Sequence, residues 1–337
     1  HTAHSTAAEA EAETKQMLEV YRKVAEDYLA MPVLVGRKPE HEKFPGAVDT
    51  YCIEAMMQDG KALQAGTSHF LGQNFAKSAG ISFVNKNNQQ EYAYTTSWGV
   101  STRLIGGLIM THADDEGMVV PPAVAPYQII ILPLIKNEAD AEKIMAYVNE
   151  LKAELKGKMP LGDKIRIKID SRDKKPADKF WEWTKKGAPI IIEIGLRDID
   201  GNNLMVRERL KVNTQEGKEI IAKDVFVSTI EERLQNIQKQ MYNNAKKRLE
   251  KNIRTDITSK EQFAEYFANS NEWIEDGKHG KVAFIRGKWC ADPATEEILK
   301  AMKITIRCIP FDQSNTEGEC LLTGKPATMD VIYARSY

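Results

Sequence analysis

Residues 128–132 read Gln-Ile-Ile-Ile-Leu, a continuous apolar run with the length and β-branched composition of a buried strand. An amphipathic pattern from 140 to about 156 follows it and predicts a helix. The alternating run 165–169, the helical segment 176–186 and a second apolar run at 189–194 continue the order. Strand, helix, strand, helix, strand predicts a small α/β domain with a mostly parallel sheet.

The chain before this domain predicts a helix followed by antiparallel strands. Thr6 and Glu9 have the spacing of a capping box, and Pro32 closes the helical pattern that they begin. Runs 47–57 and 61–64 flank an Asp-Gly turn pair, which predicts a hairpin. The other predicted elements are a strand over 93–98, a helix over 101–112, and a long helix over 230–253 that precedes a last α/β segment.

Length and charge exclude several classes of protein. The 337 residues suggest two or three domains. Lys plus Arg number 47 and Asp plus Glu 48, a net charge of −1, which argues against a wholly basic protein that coats nucleic acid or membrane. The uncharged stretch 118–135 contains four prolines and predicts a connector, with no membrane span. Four cysteines are too few for a secreted disulfide scaffold and indicate a cytoplasmic protein.

Two stretches carry residues suited to chemistry: Gln64-Ala-Gly-Thr-Ser-His-Phe-Leu-Gly-Gln-Asn-Phe75 and Ser97-Trp-Gly-Val-Ser-Thr-Arg103. Gly66 and Gly99 allow a ligand to approach the backbone closely, and Arg103 at a strand-to-helix junction is suited to bind a phosphate. From periodicity alone, a buried strand end with a hydrogen-bonded His69 and a surface arginine explains the same residues equally well.

Together these stretches resemble prolyl-tRNA synthetases of the archaeal and eukaryotic type, which are class II enzymes. Other matching strings are the opening His-Thr-Ala-His-Ser, Gly36-Arg-Lys38, Gly195-Leu-Arg-Asp198 and Arg335-Ser-Tyr337. The resemblance implies an α/β multidomain protein. Its expected domains are the C-terminal part of a class II antiparallel-sheet catalytic domain at 1–121, an α/β anticodon-binding domain at 122–225 and a zinc-type C-terminal domain at 226–337. Motif 1 and most of motif 2 are expected upstream of His1.

The resemblance also implies roles for individual residues. Those expected to bind ATP are Gln64, Thr67, Ser101 and Arg103, with Arg103 on the γ-phosphate and Gln64 beside an ATP-bound Mg²⁺. Those expected to line the proline pocket are His69, Ser97, Trp98, Gly99 and His1. A core role for Trp98 is the alternative.

The implied activity is that of a ligase. ATP activates L-proline to prolyl-adenylate, and the proline is then transferred to the 3′ end of tRNA(Pro) by a cytoplasmic homodimer. One alternative is a synthetase-like paralogue that binds tRNA or another nucleic acid without aminoacylation. A non-enzymatic fragment is a further alternative, which applies if no motif 2 lies upstream.

The expected anticodon-binding region has a local basic excess. Residues 151–190 contain 12 Lys or Arg against 6 Asp or Glu, which suits phosphate contacts. Phe180 matches a base-contact position of the family, whereas Trp181 and Trp183 also fit the core face of a helix. Thr184 and Ile191 depart from the glutamate and arginine that are common there and that help to read anticodon guanines.

The C-terminal region keeps only part of the cysteine pattern that binds zinc in many relatives. Cys290 and Cys320 match two of the four ligand positions, while Thr295 and Leu322 occupy the other two. Two thiolates cannot complete a tetrahedral structural site, so zinc is not expected.

Overall fold

The structure is a computed structural model, and it describes residues 1–214, 217–269 and 283–337. The described chain forms two compact units. The first contains residues 1–26, 31–111 and 246–337, and the second contains 27–30 and 112–245. Each unit is built of both helices and strands. The mixed α/β class is therefore confirmed.

Strands and helices occur in both units. The strands are β1 Thr2–His4, β2 Val33–Arg37, β3 Asp49–Met56, β4 Ala62–Gly72, β5 Ser82–Val84, β6 Gln90–Tyr92, β7 Tyr94–Gly99, β8 Ile129–Pro133, β9 Ile167–Ile169, β10 Ile190–Ile194, β11 Asn203–Glu208, β12 Glu219–Ala222, β13 Ile253–Arg254, β14 Phe284–Trp289, β15 Thr305–Pro310, β16 Gly318–Glu319, β17 Pro326–Ala327 and β18 Met329–Ala334. The helices are α1 Ala7–Lys23, α2 Asn74–Ala79, α3 Arg103–His112, α4 Glu138–Leu155, α5 Pro176–Lys185, α6 Leu196–Asp200, α7 Lys223–Lys251, α8 Lys260–Asn269 and α9 Thr295–Met302.

A nine-stranded sheet joins the two sequence-distant parts of the first unit. Its order is β1-β7-β4-β3-β2-β15-β18-β14-β13, and all neighbours are antiparallel except β13 and β14. The contact between β2 and β15 pairs Gly36 with Pro310 and Arg37 with Ile309. Gly36 is needed there, because a Cβ on it would lie 2.5 Å from the Ile309 carbonyl oxygen.

Helix α1 begins where the sequence predicts. The Thr6 side chain accepts a hydrogen bond from the Glu9 backbone N–H at 3.2 Å, and the Glu9 carboxylate accepts one from the Thr6 N–H at 3.1 Å. This reciprocal pair satisfies two of the free amides of the first turn. The helix packs against β3, β4 and β7, and its apolar face includes the buried Leu18 and Tyr21. It therefore covers one face of the sheet.

The second unit contains the predicted α/β domain. Its sheet has the order β12-β11-β10-β8-β9, with β10, β8 and β9 parallel and the two edge strands β11 and β12 antiparallel. Ile129 and Ile131 face a core that includes residues of α4 and α7, whereas Ile130 and Leu132 face a core on α5. Burial on both faces explains why 128–132 is continuously apolar.

Most predicted elements lie where the patterns put them, with one strand much longer than predicted. The hairpin strand predicted over 61–64 is β4, which continues to Gly72 through an irregularity opposite Ile53 and Glu54. The two compact units also differ from the three predicted domains, since 1–121 and 226–337 contribute strands to one sheet. The boundaries at 121 and 225 stay predictions about family domains.

Candidate functional site

Three polar residues of β4, Gln64, Thr67 and His69, share one face of the sheet because the strand carries a bulge. Glu54 pairs with Gln64, Ile53 pairs with Gly66 and Cys52 pairs with Thr67, so Ala65 is the extra residue. Without it, Gln64 and Thr67 would point to opposite faces, because side chains alternate along a strand. Gln64, Thr67 and His69 are half-buried, and both flanking residues of each are buried. The bulge thus brings the three predicted residues onto one partly open face.

The neighbouring strand β7 adds two predicted residues to this face and separates a third. Ser97 pairs with His69 and Gly99 pairs with Thr67, which places them beside these residues. A Cβ on Gly99 would meet nothing within 4 Å, so open space adjoins Thr67. Trp98 pairs with Ser68, whose hydroxyl donates to the Thr14 carbonyl of α1. The structure therefore places Trp98 on the helix-covered face, opposite the other predicted pocket residues.

His1 lies at the edge of the same group. Thr2 of β1 pairs with Thr96 of β7, so the antiparallel register places His1 opposite Ser97. The side chain of His1 is exposed. The predicted proline-binding set is thus brought together except for Trp98.

His69 sits in an aromatic and polar environment. Thr50 Oγ1 lies 2.9 Å from His69 Nδ1 and also accepts the Phe44 N–H at 3.2 Å. The ring of Phe44 lies 5.0 Å from that of His69 and 6.2 Å from that of Phe75. Burial lowers the pKa of His69. Thr50 and Phe44 were not predicted, because only the pairing of β3 with β4 brings them to His69.

Arg103 lies at the Gln64 end of the face. Arg103 is the first residue of α3 and is exposed, and its Nη1 approaches the Gln64 carbonyl oxygen at 3.5 Å. Ser101 accepts the Arg103 backbone N–H at 3.3 Å, so its hydroxyl helps to begin the helix. The four residues predicted to bind ATP lie on β4 and at this strand-to-helix junction.

A buried ionic cluster lies next to Gln64. Glu54, the cross-strand partner of Gln64, contacts Lys38 Nζ at 2.9 Å and Arg307 Nη2 at 2.9 Å. Burial alone would lower the pKa of Lys38, but the Glu54 carboxylate and Cys52 together raise the pKa above its usual value. The signal for this cluster was an acidic residue inside the apolar run 50–56. Its two cationic partners were visible only in the fold.

In the second unit, Phe180 is more enclosed than a base-stacking role requires. It is 6% exposed and packs with Trp183 and Ile191, whereas Trp181 is 42% exposed. The guanidinium carbon of Arg207 lies 4.4 Å from the centre of the Phe180 ring. The core role considered for Trp183 is confirmed, and the same role for Trp181 is wrong.

The residues at the two altered zinc positions have structural roles. Thr295 accepts the Trp289 Nε1–H at 3.0 Å and donates to the Asp292 carbonyl at 2.5 Å, while Leu322 is buried. Cys290 Sγ lies 3.5 Å from Thr323 Oγ1. Within residues 1–214, 217–269 and 283–337, no three His, Cys, Asp or Glu side chains converge as metal ligands. These residues do not fit a tetrahedral zinc ion.

Two family models match the chain. Residues 128–233 match the family described as "Anticodon binding domain". This part of the second unit is thus similar to a class of domain named for binding anticodons. Residues 274–337 match "Prolyl-tRNA synthetase, C-terminal". The chain therefore carries the C-terminal region of the prolyl-tRNA synthetase family.

Curated relatives match along the whole chain. Proteins named "Proline--tRNA ligase" are 45% identical in Bdellovibrio bacteriovorus, 47% in Protochlamydia amoebophila and 48% in Sphingomonas elodea. Each alignment covers 100% of this chain and 66% of the relative, so the chain spans just under two thirds of their length. Among the described residues, no helix is both long and apolar enough to cross a membrane.

Proposed function

We propose that this chain is part of a prolyl-tRNA synthetase, which activates L-proline with ATP and transfers it to the 3′ end of tRNA(Pro). The observation that carries the proposal is the placement of five predicted residues on one partly open sheet face, in a chain with relatives named for this reaction. The five are Gln64, Thr67, His69, Ser97 and Gly99. A strand rises about 3.3 Å per residue, so Gln64 and His69 lie roughly 15 Å apart. That span suits a nucleotide with an amino acid at one end.

In the proposed first step, a proline carboxylate oxygen attacks the α-phosphorus of ATP. A new P–O bond forms, the bond from the α-phosphorus to the bridging oxygen breaks, and pyrophosphate leaves. No covalent nucleophile is needed, because rate comes from positioning and from stabilising the phosphate charge. Arg103 supplies the cation at the phosphate end, and Gln64 and Thr67 supply polar contacts.

The other end of the face is suited to the amino acid. Burial lowers the pKa of His69 and so disfavours a positive charge on its ring, which would repel the secondary ammonium group of proline. Phe44 provides an apolar wall beside it, and Gly99 leaves room for a ring. We include Ser97 and His1 in this pocket. Trp98 lies on the other face, and we assign it no contact with proline.

Mg²⁺ fits this site only as a partner of bound ATP. Magnesium usually keeps several waters and binds substrate phosphates with one or two protein groups. Gln64 offers an amide oxygen, while the neighbouring Glu54 carboxylate already holds two cations. When bound, the ion would neutralise phosphate charge, with Gln64 beside it.

Four finer assignments belong to the same proposal. We place the protein in the cytoplasm, acting as a homodimer, with family domains at 1–121, 122–225 and 226–337. We also assign it the archaeal and eukaryotic architecture, although the relatives named above are bacterial and give that type no support. None of the four cysteines, all within the described residues, takes part in a disulfide in the structure, which is consistent with a cytoplasmic location.

The test is proline-dependent exchange of pyrophosphate into ATP by the full-length protein. We expect Arg103→Ala to lower kcat/KM for ATP by about 100-fold or more, since it removes a cation from the phosphates. His69→Ala should raise KM for proline by about tenfold and change KM for ATP little, because His69 lies at the amino-acid end.

Lys77→Ala is the matched control, since it removes an exposed cation of α2 to which the proposed site assigns no contact. Its exchange rate should equal that of the wild type. A folded full-length protein that shows no exchange with proline and Mg²⁺ present would contradict the proposed activity. Retained exchange in both Arg103→Ala and His69→Ala would contradict the proposed site.

A further inference from the structure

Arg207 is paired, on the neighbouring strand, with a position where the family resemblance predicts an arginine. Ile191 of β10 occupies that position and is buried, and its cross-strand partner on β11 is Arg207. Residues paired across antiparallel strands project to the same face. The Arg207 side chain therefore projects to the face that carries Phe180 and Ile191, within residues 128–233 that match the anticodon-binding family.

The guanidinium group of Arg207 is held on two sides. Its Nε donates to Glu193 Oε2 at 2.9 Å, and its Cζ lies 4.4 Å from the centre of the Phe180 ring. Glu193 belongs to β10, two residues beyond Ile191, so it shares the same face. Both contacts fix the plane of the guanidinium and reduce the entropy that it would lose on binding a ligand.

The remaining donors of Arg207 are available. Its side chain is 20% exposed, and Nη1 and Nη2 have no hydrogen-bond partner among the residues that the structure describes. Two parallel N–H donors on a fixed plane match the O6 and N7 acceptors of guanine. Every proline codon begins with CC, so every cognate anticodon contains two guanines.

We propose that Arg207 reads an anticodon guanine, with Glu193 and Phe180 as the residues that position its guanidinium. The ligand class is a guanine base of single-stranded RNA, recognised through its O6 and N7 edge. Phe180 then acts through Arg207, which explains how a residue that is 6% exposed lies at a base-contact position. This inference rests on the proposed tRNA(Pro) function.

The experiment measures aminoacylation of tRNA(Pro) transcripts by the full-length protein. We expect Arg207→Ala to lower kcat/KM for the wild-type transcript by about 10- to 100-fold, the usual range for loss of one bidentate guanine contact. Proline-dependent pyrophosphate exchange without tRNA should not change. Arg207→Lys should have a kcat/KM for aminoacylation little higher than that of Arg207→Ala, because an ammonium group cannot form the forked contact.

Transcripts with 7-deazaguanine at either anticodon guanine identify the base. This analogue lacks the N7 acceptor, so at one of the two positions it should lower kcat/KM about tenfold for the wild type. The same analogue should cause no further loss in Arg207→Ala. Lys156→Ala, which removes an exposed cation from the same unit, should keep the full penalty of the analogue.

The outcomes separate the two proposals. Absence of pyrophosphate exchange in the wild type contradicts the synthetase function itself. Normal exchange together with an unchanged 7-deazaguanine penalty in Arg207→Ala overturns the role of Arg207 alone. If Arg207→Ala does not fold, the loss of kcat/KM caused by 7-deazaguanine is measured in the wild type and in Glu193→Gln instead, and it tests the inference. No penalty at either guanine in the wild type would overturn the inference.

Discussion

Glu54 places a negative charge in the interior of the first unit, where each of its oxygens contacts a cation. Its side chain is fully buried and those of Lys38 and Arg307 are nearly so. Lys38 also donates to the Arg307 carbonyl at 2.7 Å. A buried charge is tolerated only when its partners compensate for the loss of hydration. At the residue scale this cluster fixes β3 beside Gln64 and joins it to β15.

Removing the charge of Glu54 should therefore destabilise the protein strongly. We expect Glu54→Gln to lower the free energy of unfolding by about 3–5 kcal/mol, because two buried cations lose their counter-charge. Urea denaturation followed by circular dichroism measures this change. Glu11→Gln breaks an exposed pair with Lys15 and should cost less than about 1 kcal/mol. Equal effects of the two substitutions would contradict the role of the cluster.

Asp330 shows how a paired carboxylate makes stability depend on pH. Burial alone would raise its pKa, but Lys288 at 2.7 Å and the Ser314 N–H lower it to about 2. Because the folded pKa is below the usual value of 3.8, its stabilisation is present above about pH 4. It is lost as the pH falls from there towards 2.

Comparison with Asp330→Asn isolates this effect from other acidic groups. The wild type should be the more stable of the two at pH 7, and the difference in unfolding free energy should shrink by about 2 kcal/mol between pH 5 and pH 2. Urea unfolding at several pH values measures it. A difference that stays constant with pH would show that the Asp330 carboxylate has no depressed pKa.

At the scale of elements, the bulge in β4 and Gly99 determine the geometry of the candidate site, and Gly36 determines how closely β2 approaches β15. The extra residue of the bulge reverses the alternation of side chains between the two faces of the sheet. Gln64 and Thr67 therefore share a face although they are three residues apart. Gly36 allows β2 to approach β15, and Gly99 leaves open space beside Thr67. Gly36 is therefore required by the pairing of the strands, whereas Gly99 leaves space at the proposed site.

Alanine substitutions should separate these two roles. Gly36→Ala would place a Cβ 2.5 Å from a backbone oxygen and 2.9 Å from the Cys308 Cβ, so it should lower the urea midpoint and unfolding free energy by about 1–3 kcal/mol. Gly99→Ala meets no atom within 4 Å and should leave stability within about 0.5 kcal/mol, while it raises KM for proline. A larger loss of stability in Gly99→Ala than in Gly36→Ala would contradict the roles given to these two glycines.

At the scale of the whole molecule, the first unit is assembled from segments that are far apart in the chain. In its nine-stranded sheet, the strands from residues 2–99 and those from residues 253–334 meet once, where β2 pairs with β15. The last residues also reach the β3–β4 turn, where the Tyr337 hydroxyl donates to Asp59 Oδ2 at 2.5 Å and the Ala62 N–H donates to the Arg335 carbonyl at 2.8 Å. The strand that carries Gln64 is thus held at its beginning by the C-terminal segment.

The sequence determined the local elements and the family because both are written in neighbouring residues. The capping box of Thr6, the apolar run 128–132 and the strings around His69 and Arg103 depend on short spacings, and the predicted elements and the C-terminal family region are confirmed. Only the tertiary structure placed Trp98 on the far face, enclosed Phe180 under Arg207 and gave Glu54 its two cations. Strand register and the packing of distant segments decide these contacts, and neither can be read from the order of residues alone.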